Sequence, residues 1–158
     1  MVAGAIDRVL RGGRGARPVD FRVLITGSRR MTDWEPIREG FDRLVRAEAH
    51  VIEKRARIVV VHGAGPGDRE SGAPGCDELV QKLFDTDYFG VTVEPHPPVE
   101  TKFGRWPGAG PRRNSYMVGL GADWCLAFPC RHSKGTVDCL TKAWKAGIPT
   151  ISTLLRIP

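Results

Sequence analysis

Cysteine, histidine and tyrosine are all scarce in this chain: there are four, four and two of them among 158 residues, and aromatic side chains make up only 8%. Cys76, Cys125, Cys130 and Cys139 form no Cys-x-x-Cys pair. Cys130 and His132 lie close together, but no second ligand pair stands at finger or ribbon spacing, so no metal is expected. No apolar run approaches the ~20 residues that a membrane span needs. The opening MVAGAIDRVLRGGRG lacks the continuous apolar stretch of a signal peptide. Hydrophobic residues at 41% and charged residues at 27% are globular values. The expectation is a cytoplasmic protein with its thiols free and buried, long enough to hold a core without disulfides.

Acidic residues are outnumbered, 18 against 24 Lys plus Arg, which leaves a formal charge of +6. That excess points to an anionic partner, either a nucleotide or a nucleic acid. Residues 1–20 are expected to be a basic, flexible N-terminal tail, with Arg8, Arg11, Arg14 and Arg17 recurring every third residue. Gly12, Gly13 and Gly15 oppose a helix there, since each costs up to about 1 kcal/mol relative to Ala. Such a tail is ordinarily a solvated terminus, and its alternative use is as an arm on a phosphate backbone. Residues 21–158 form the expected domain.

Within that domain, short β-rich runs alternate with helical patterns. Strands are expected at about 22–26, 58–61, 91–93, 124–128 and 148–152. Thr32 or Asp33 is expected to cap a helix carrying Ile37, Phe41, Leu44 and Val45. A second helix carries Leu79, Val80, Leu83 and Phe84. A third covers 112–119, and a fourth, capped by Thr136, carries Val137, Leu140 and Trp144 and stops at Gly147. The alternation predicts an α/β fold: a Rossmann-like three-layer sandwich with a mostly parallel five-stranded sheet.

Ligands of such sheets bind beyond the carboxyl ends of the strands. That rule singles out Gly27, Ser28 and Arg29 after the first strand, Gly63 and Ala64 after the second, and Pro129 to Thr136 after the fourth. Gly27, Gly63 and Gly135 let backbone approach a ligand, Ser28 and Thr136 offer hydroxyls, and Arg29 offers a bidentate clamp. Arg112 and Arg113 stand at an expected helix start, where the dipole opposes cations unless an anion is bound. Arg113 is assigned to phosphate and Asn114 to a base edge or ribose hydroxyl, with Met117 on the same helical face. No GxxxxGK[ST] or GxGxxG stands in the chain, so P-loop and standard dinucleotide chemistry are unsupported. His62, His96 and His132 are candidate acid–bases. Asp77 is a helix cap or a ribose contact, and Trp106 is the tryptophan best placed to stack on a base.

These residues in this order resemble the YspA/YpsA-related branch of the SLOG superfamily. The resemblance rests on Arg22 to Arg29, His62-Gly63-Ala64, Gly75-Cys76-Asp77, Gly110-Pro111 with Arg113-Asn114 and Met117, Gly121-Ala122-Asp123, Ala127-Phe128-Pro129, Gly135-Thr136 and Ala146 to Pro149. It spans about 21–152. It implies a Rossmann-like protein that binds a nucleotide or nucleotide-derived ligand as a sensor or binding protein, without a cofactor, and that can form a homodimer. Relatives in the superfamily include the lonely-guy phosphoribohydrolases and single-strand DNA binders of the DprA type. Hydrolysis of a nucleotide and binding of single-stranded nucleic acid are therefore the two alternatives. Two departures bear on the first. The hydrolases carry PGGxGTxxE, whereas Arg131 to Cys139 keeps Gly135-Thr136 but puts Cys139 where the catalytic Glu belongs, and Cys replaces a carboxylate poorly. The loop Pro66 to Pro74 is an insertion, a lid or partner surface if it is not neutral growth.

Overall fold

The computed structural model describes residues 19–157. Five strands, β1 (Phe21–Gly27), β2 (Ile58–His62), β3 (Val91–Pro95), β4 (Trp124–Phe128) and β5 (Thr150–Ser152), form one sheet. Their order is β3-β2-β1-β4-β5, and every pairing is parallel. The helices are α1 (Glu35–Ala47), α2 (Ala49–Ile52), α3 (Gly75–Asp87), α4 (Glu100–Phe103), α5 (Ala109–Gly119) and α6 (Lys134–Lys145).

The central strands are apolar on both faces because both faces are covered, as a parallel sheet requires. Val23 and Ile25 of β1, Val60 of β2, and Leu126 and Phe128 of β4 meet Ile37, Phe41 and Leu44 of α1 and Val80, Leu83 and Phe84 of α3. Leu24, Val59, Val61 and Cys125 point the other way, onto Met117 and Val118 of α5 and Cys139 and Ala143 of α6. This is the expected three-layer Rossmann-like sandwich, with a fully parallel sheet. Among the described residues, no helix is long and apolar enough to cross a membrane.

Several local expectations need correction. The residue before α1 is Trp34, and no side chain caps that end, although Asp33 Oδ1 accepts the Glu35 N–H at 3.0 Å. α5 begins at Ala109 rather than Arg112, so Arg112 and Arg113 lie a turn inside the helix and the dipole argument for an anion loses its footing. α6 begins at Lys134, which places Thr136 inside the helix rather than at its cap. The buried face of α6 is Thr136, Cys139 and Ala143, while Val137 and Trp144 of the expected apolar stripe are 49% and 70% exposed. Gly147 ends α6 as expected: its φ of +78° lets its own N–H reach Trp144 O, and the Ile148 N–H reaches Ala143 O. Residues 1–18 of the expected tail lie outside the described residues. Its last two residues are tied down, Val19 O accepting the Ala56 N–H and Asp20 pairing with Arg57 at 3.1 Å.

Candidate functional site

In this strand order the direction of the crossovers reverses between β1 and β4, and ligands of open α/β sheets bind beyond the carboxyl ends of the strands at such a point. Gly27 and Phe128 are partners in register there. A Cβ on Gly27 would stand 2.6 Å from Cys76 Sγ, so the glycine is what lets α3 close onto β1. Ser28 follows as a junction. Its N–H donates to Phe128 O, its carbonyl accepts from Met31 and Cys76, and its hydroxyl accepts the Arg30 N–H at 3.0 Å and donates to Cys130 Sγ at 3.0 Å. The hydroxyl expected to meet phosphate is thus engaged inside the protein, and Ser28 is buried.

Cys130, passed over in the sequence as a bland buried thiol, receives a second hydroxyl. Ser133 Oγ donates to its sulfur at 3.2 Å while accepting the Cys130 N–H at 2.8 Å. Burial pushes the thiol pKa up, but the Ser133 and Ser28 hydroxyls, the backbone of His132 and the charge of Arg30 together hold it below its ordinary value. The sequence signal was the Cys-x-x-Ser spacing at the start of α6, which closes one short turn.

A second hydrogen-bonded line joins β2, α5 and α6. Gly63 O accepts from Arg113 Nη1, and a Cβ at Gly63 would collide with that guanidinium. Arg113 Nη1 also reaches His96 O at 3.2 Å, and its Nε donates to Asn114 Oδ1 at 3.0 Å. Asn114 Nδ2 then donates to Gly135 O and to Asp138 Oδ2. Gly63, Arg113, Asn114 and Gly135 are therefore brought together, and the Asn114 amide is spent on protein partners. Asp138 is held as well, pairing with Lys142 at 2.9 Å.

Arg113 is 8% exposed and has no carboxylate within salt-bridge distance among the described residues. Burial draws its pKa down, opposed by the charge of Asp77, while Arg29 is near enough to repel it. A guanidinium stays protonated regardless, so this is a buried cation whose nearest compensation is three neutral oxygens, those of Gly63, His96 and the Asn114 amide.

The loop after β2 is set by two side chains. The Ala64 N–H donates to His62 Nδ1 at 3.0 Å, leaving Nε2 to donate to Gln81 Oε1 at 2.9 Å. That contact accompanies a left-handed φ of +46° at Ala64. Asp77 Oδ2 accepts the Gly65 N–H at 2.7 Å, so Asp77 secures this loop rather than capping its own helix. The loop 66–74, expected to be an insertion, is a compact turn in which Asp68 accepts from the Ser71 N–H and hydroxyl. His96 Nε2 lies 2.7 Å from Glu94, and His132 is exposed. Neither His62 nor His96 has both ring positions open for proton transfer.

Other expected residues fall into place less directly. Met117 is core. Pro129 is buried and its carbonyl accepts the Leu155 N–H. Thr136 is buried on α6, whereas Gly135 is exposed with open space where its side chain would be. Cys139, the residue at the hydrolases' Glu position, is fully buried in the core with its pKa pushed up by burial to about 11. Arg29 is exposed, its guanidinium 5.4 Å from the centre of the Trp106 ring.

Strand order, all-parallel pairing and coverage on both faces define a Rossmann-like α/β protein. No family model and no solved structure matches the chain. The chain is 38% identical over 140 residues to the Gene 61 protein of Mycobacterium phage D29, which covers 83% of this chain and 94% of that protein, and it belongs to that protein's family.

Proposed function

We propose that this is a ligand-binding protein of the YspA/YpsA-related SLOG type that takes a nucleotide-type anion at the β1–β4 edge. The observation that carries this reading is Arg113: a guanidinium more than nine-tenths buried, held at the carboxyl edge of the sheet by Gly63 O and His96 O, with no carboxylate partner among the described residues. Burying a charge without a counter-charge is costly, and a phosphate is the partner a planar guanidinium fits best. Arg29, exposed on the neighbouring loop, adds a second cation, and Gly135 leaves the start of α6 open to an approaching anion.

A binding role is favoured over hydrolysis by the fate of two residues. Cys139 is protonated and sealed in the core at neutral pH, and Asp138 is tied to Asn114 and Lys142, so neither serves as the missing carboxylate. The test is a thermal-shift panel of AMP, ATP, NAD, ADP-ribose and short single-stranded DNA. A ligand at 100 times its Kd adds about 2.7 kcal/mol, several degrees for a domain of this size. The expected result is a shift with a nucleotide that disappears in the Arg29→Ala/Arg113→Lys double variant. An undiminished shift in that variant refutes the assignment.

A further inference from the structure

We propose that Trp106 is the platform on which the base of a bound mononucleotide stacks, with Arg29 closing over its other face. The inference rests on the anion reading of Arg113 and sharpens it, because it separates a nucleotide from a sugar phosphate or a bare phosphate.

Trp106 lies between α4 and α5 and is 53% exposed. A large indole left in water is the kind of surface that a flat, apolar-faced ligand covers. Its rim is supported by α5: a Cβ on Gly110 would stand 3.4 Å from the six-membered ring, so that helix end lies against the indole. Arg29 stands 5.4 Å from the ring centre on the loop after β1, with no carboxylate within salt-bridge distance among the described residues. Among the described residues the indole is its one cation–π partner.

Arg29 follows the carboxyl end of β1, and Arg113 bonds the carbonyls of Gly63 and His96 just beyond the carboxyl ends of β2 and β3, so two like charges share this edge and repel. The exposed aromatic and the buried unpaired cation thus belong to one edge of the sheet. A phosphate between the two arginines relieves that repulsion and leaves its base within reach of the indole. Stacked rings sit about 3.4 Å apart, so a base between Trp106 and Arg29 needs them about 6.8 Å apart. Arg29 is exposed and unanchored, and withdrawing it by little more than an ångström disturbs nothing in the core. Stacking of this kind tolerates any base but grows with ring area, so purines bind ahead of pyrimidines.

The experiment is a fluorescence or calorimetric titration of the full chain with AMP, CMP, ribose 5-phosphate and inorganic phosphate, using wild type, Trp106→Ala, Trp106→Phe and Arg113→Lys. Trp106 is half exposed, so both of its variants fold. The expected result is that Trp106→Ala weakens AMP between about 5-fold and 100-fold, leaves ribose 5-phosphate unchanged, and is largely rescued by Trp106→Phe. Arg113→Lys weakens all four ligands together. Equal AMP affinity in wild type and Trp106→Ala, with the Arg113→Lys effect intact, overturns the platform and leaves the anion site standing. Failure of wild type to bind any of the four overturns both. The same titration with a short single-stranded oligonucleotide completes the test: tighter, Trp106-dependent binding of the strand than of AMP overturns the assignment to a mononucleotide.

Discussion

Four thiols in one small protein have different fates because their neighbours differ. Cys76, Cys125 and Cys139 are sealed in the core, and burial raises all three, Cys125 to about 12 and Cys139 to about 11. Cys130 has two hydroxyls aimed at its sulfur and is held below its ordinary value. A thiolate is the species that alkylates, so brief iodoacetamide treatment near pH 8 is expected to modify Cys130 first. Peptide mass spectrometry reads the order, and labelling of Cys139 at the same rate contradicts the assignment. Ser133→Ala is expected to slow the reaction. That Gly63 and Gly135 follow strand ends was legible in the sequence, because parallel strands alternate with helices in a readable pattern; Arg113 was singled out by a helix start that lies three residues earlier than expected. The environment of Cys130 was not legible, since it depends on Ser28, 102 residues away in the chain. For the same reason Ser28 and Asn114 looked like ligand contacts and turn out to spend their polar atoms on the protein itself.

Helix α6 carries two candidate apolar faces. One holds the large residues Val137, Leu140 and Trp144; the other holds the small ones, Thr136, Cys139 and Ala143. Periodicity chose the large residues, whereas close approach to the sheet selects the small ones: Cys139 and Ala143 have no exposed surface. Trp144→Ser is therefore expected to change stability by no more than about 0.5 kcal/mol. Ala143→Leu overfills the α6–sheet contact and is expected to cost about 1–3 kcal/mol. Urea denaturation distinguishes the two, and the reverse ranking restores the sequence expectation.

Strand β3, at one edge of the sheet, is fastened by charge as well as by backbone pairing. Both terminal nitrogens of Arg22 bond the Glu94 carboxylate, at 3.0 and 2.9 Å, reaching over β2 from the central strand. The Arg22 bonds, with help from His96 and against burial, hold the Glu94 carboxyl at about 2 instead of 4.5. A pKa lower in the folded state than in the unfolded chain gives stability that is complete above about 4.5 and fades as pH falls toward 2. Glu94→Gln lacks that contribution, so the loss of stability between pH 5 and pH 2.5 is expected to be smaller than in wild type. Denaturant midpoints across that range measure it; parallel curves for the two proteins disprove it. The strands and the four longer helices on the flanks of the sheet were readable from pattern alone. The contacts that fasten them were not, because Arg22, Glu94 and Asp123 are spread over the chain.

Across the whole molecule, the core is a stack of three layers whose largest buried rings lie under α1 and α3. Phe41 meets Phe84 edge-on at 4.7 Å between ring centres and Tyr88 at 5.1 Å. Phe41→Ala is expected to cost about 3–5 kcal/mol and to lower the midpoint of a single cooperative transition. Two transitions by different probes would mean that the two faces of the sheet melt separately. The chain's two halves meet along β1 and β4, where the Arg22 N–H finds Asp123, 101 residues further on. Loop closure over that span is slow relative to local helix formation, so this seam is expected to be among the last parts to knit as the protein folds. The edge where a ligand is expected stands on the same seam. A chain emerging from the ribosome thus has no such edge until β4 has been made and docked.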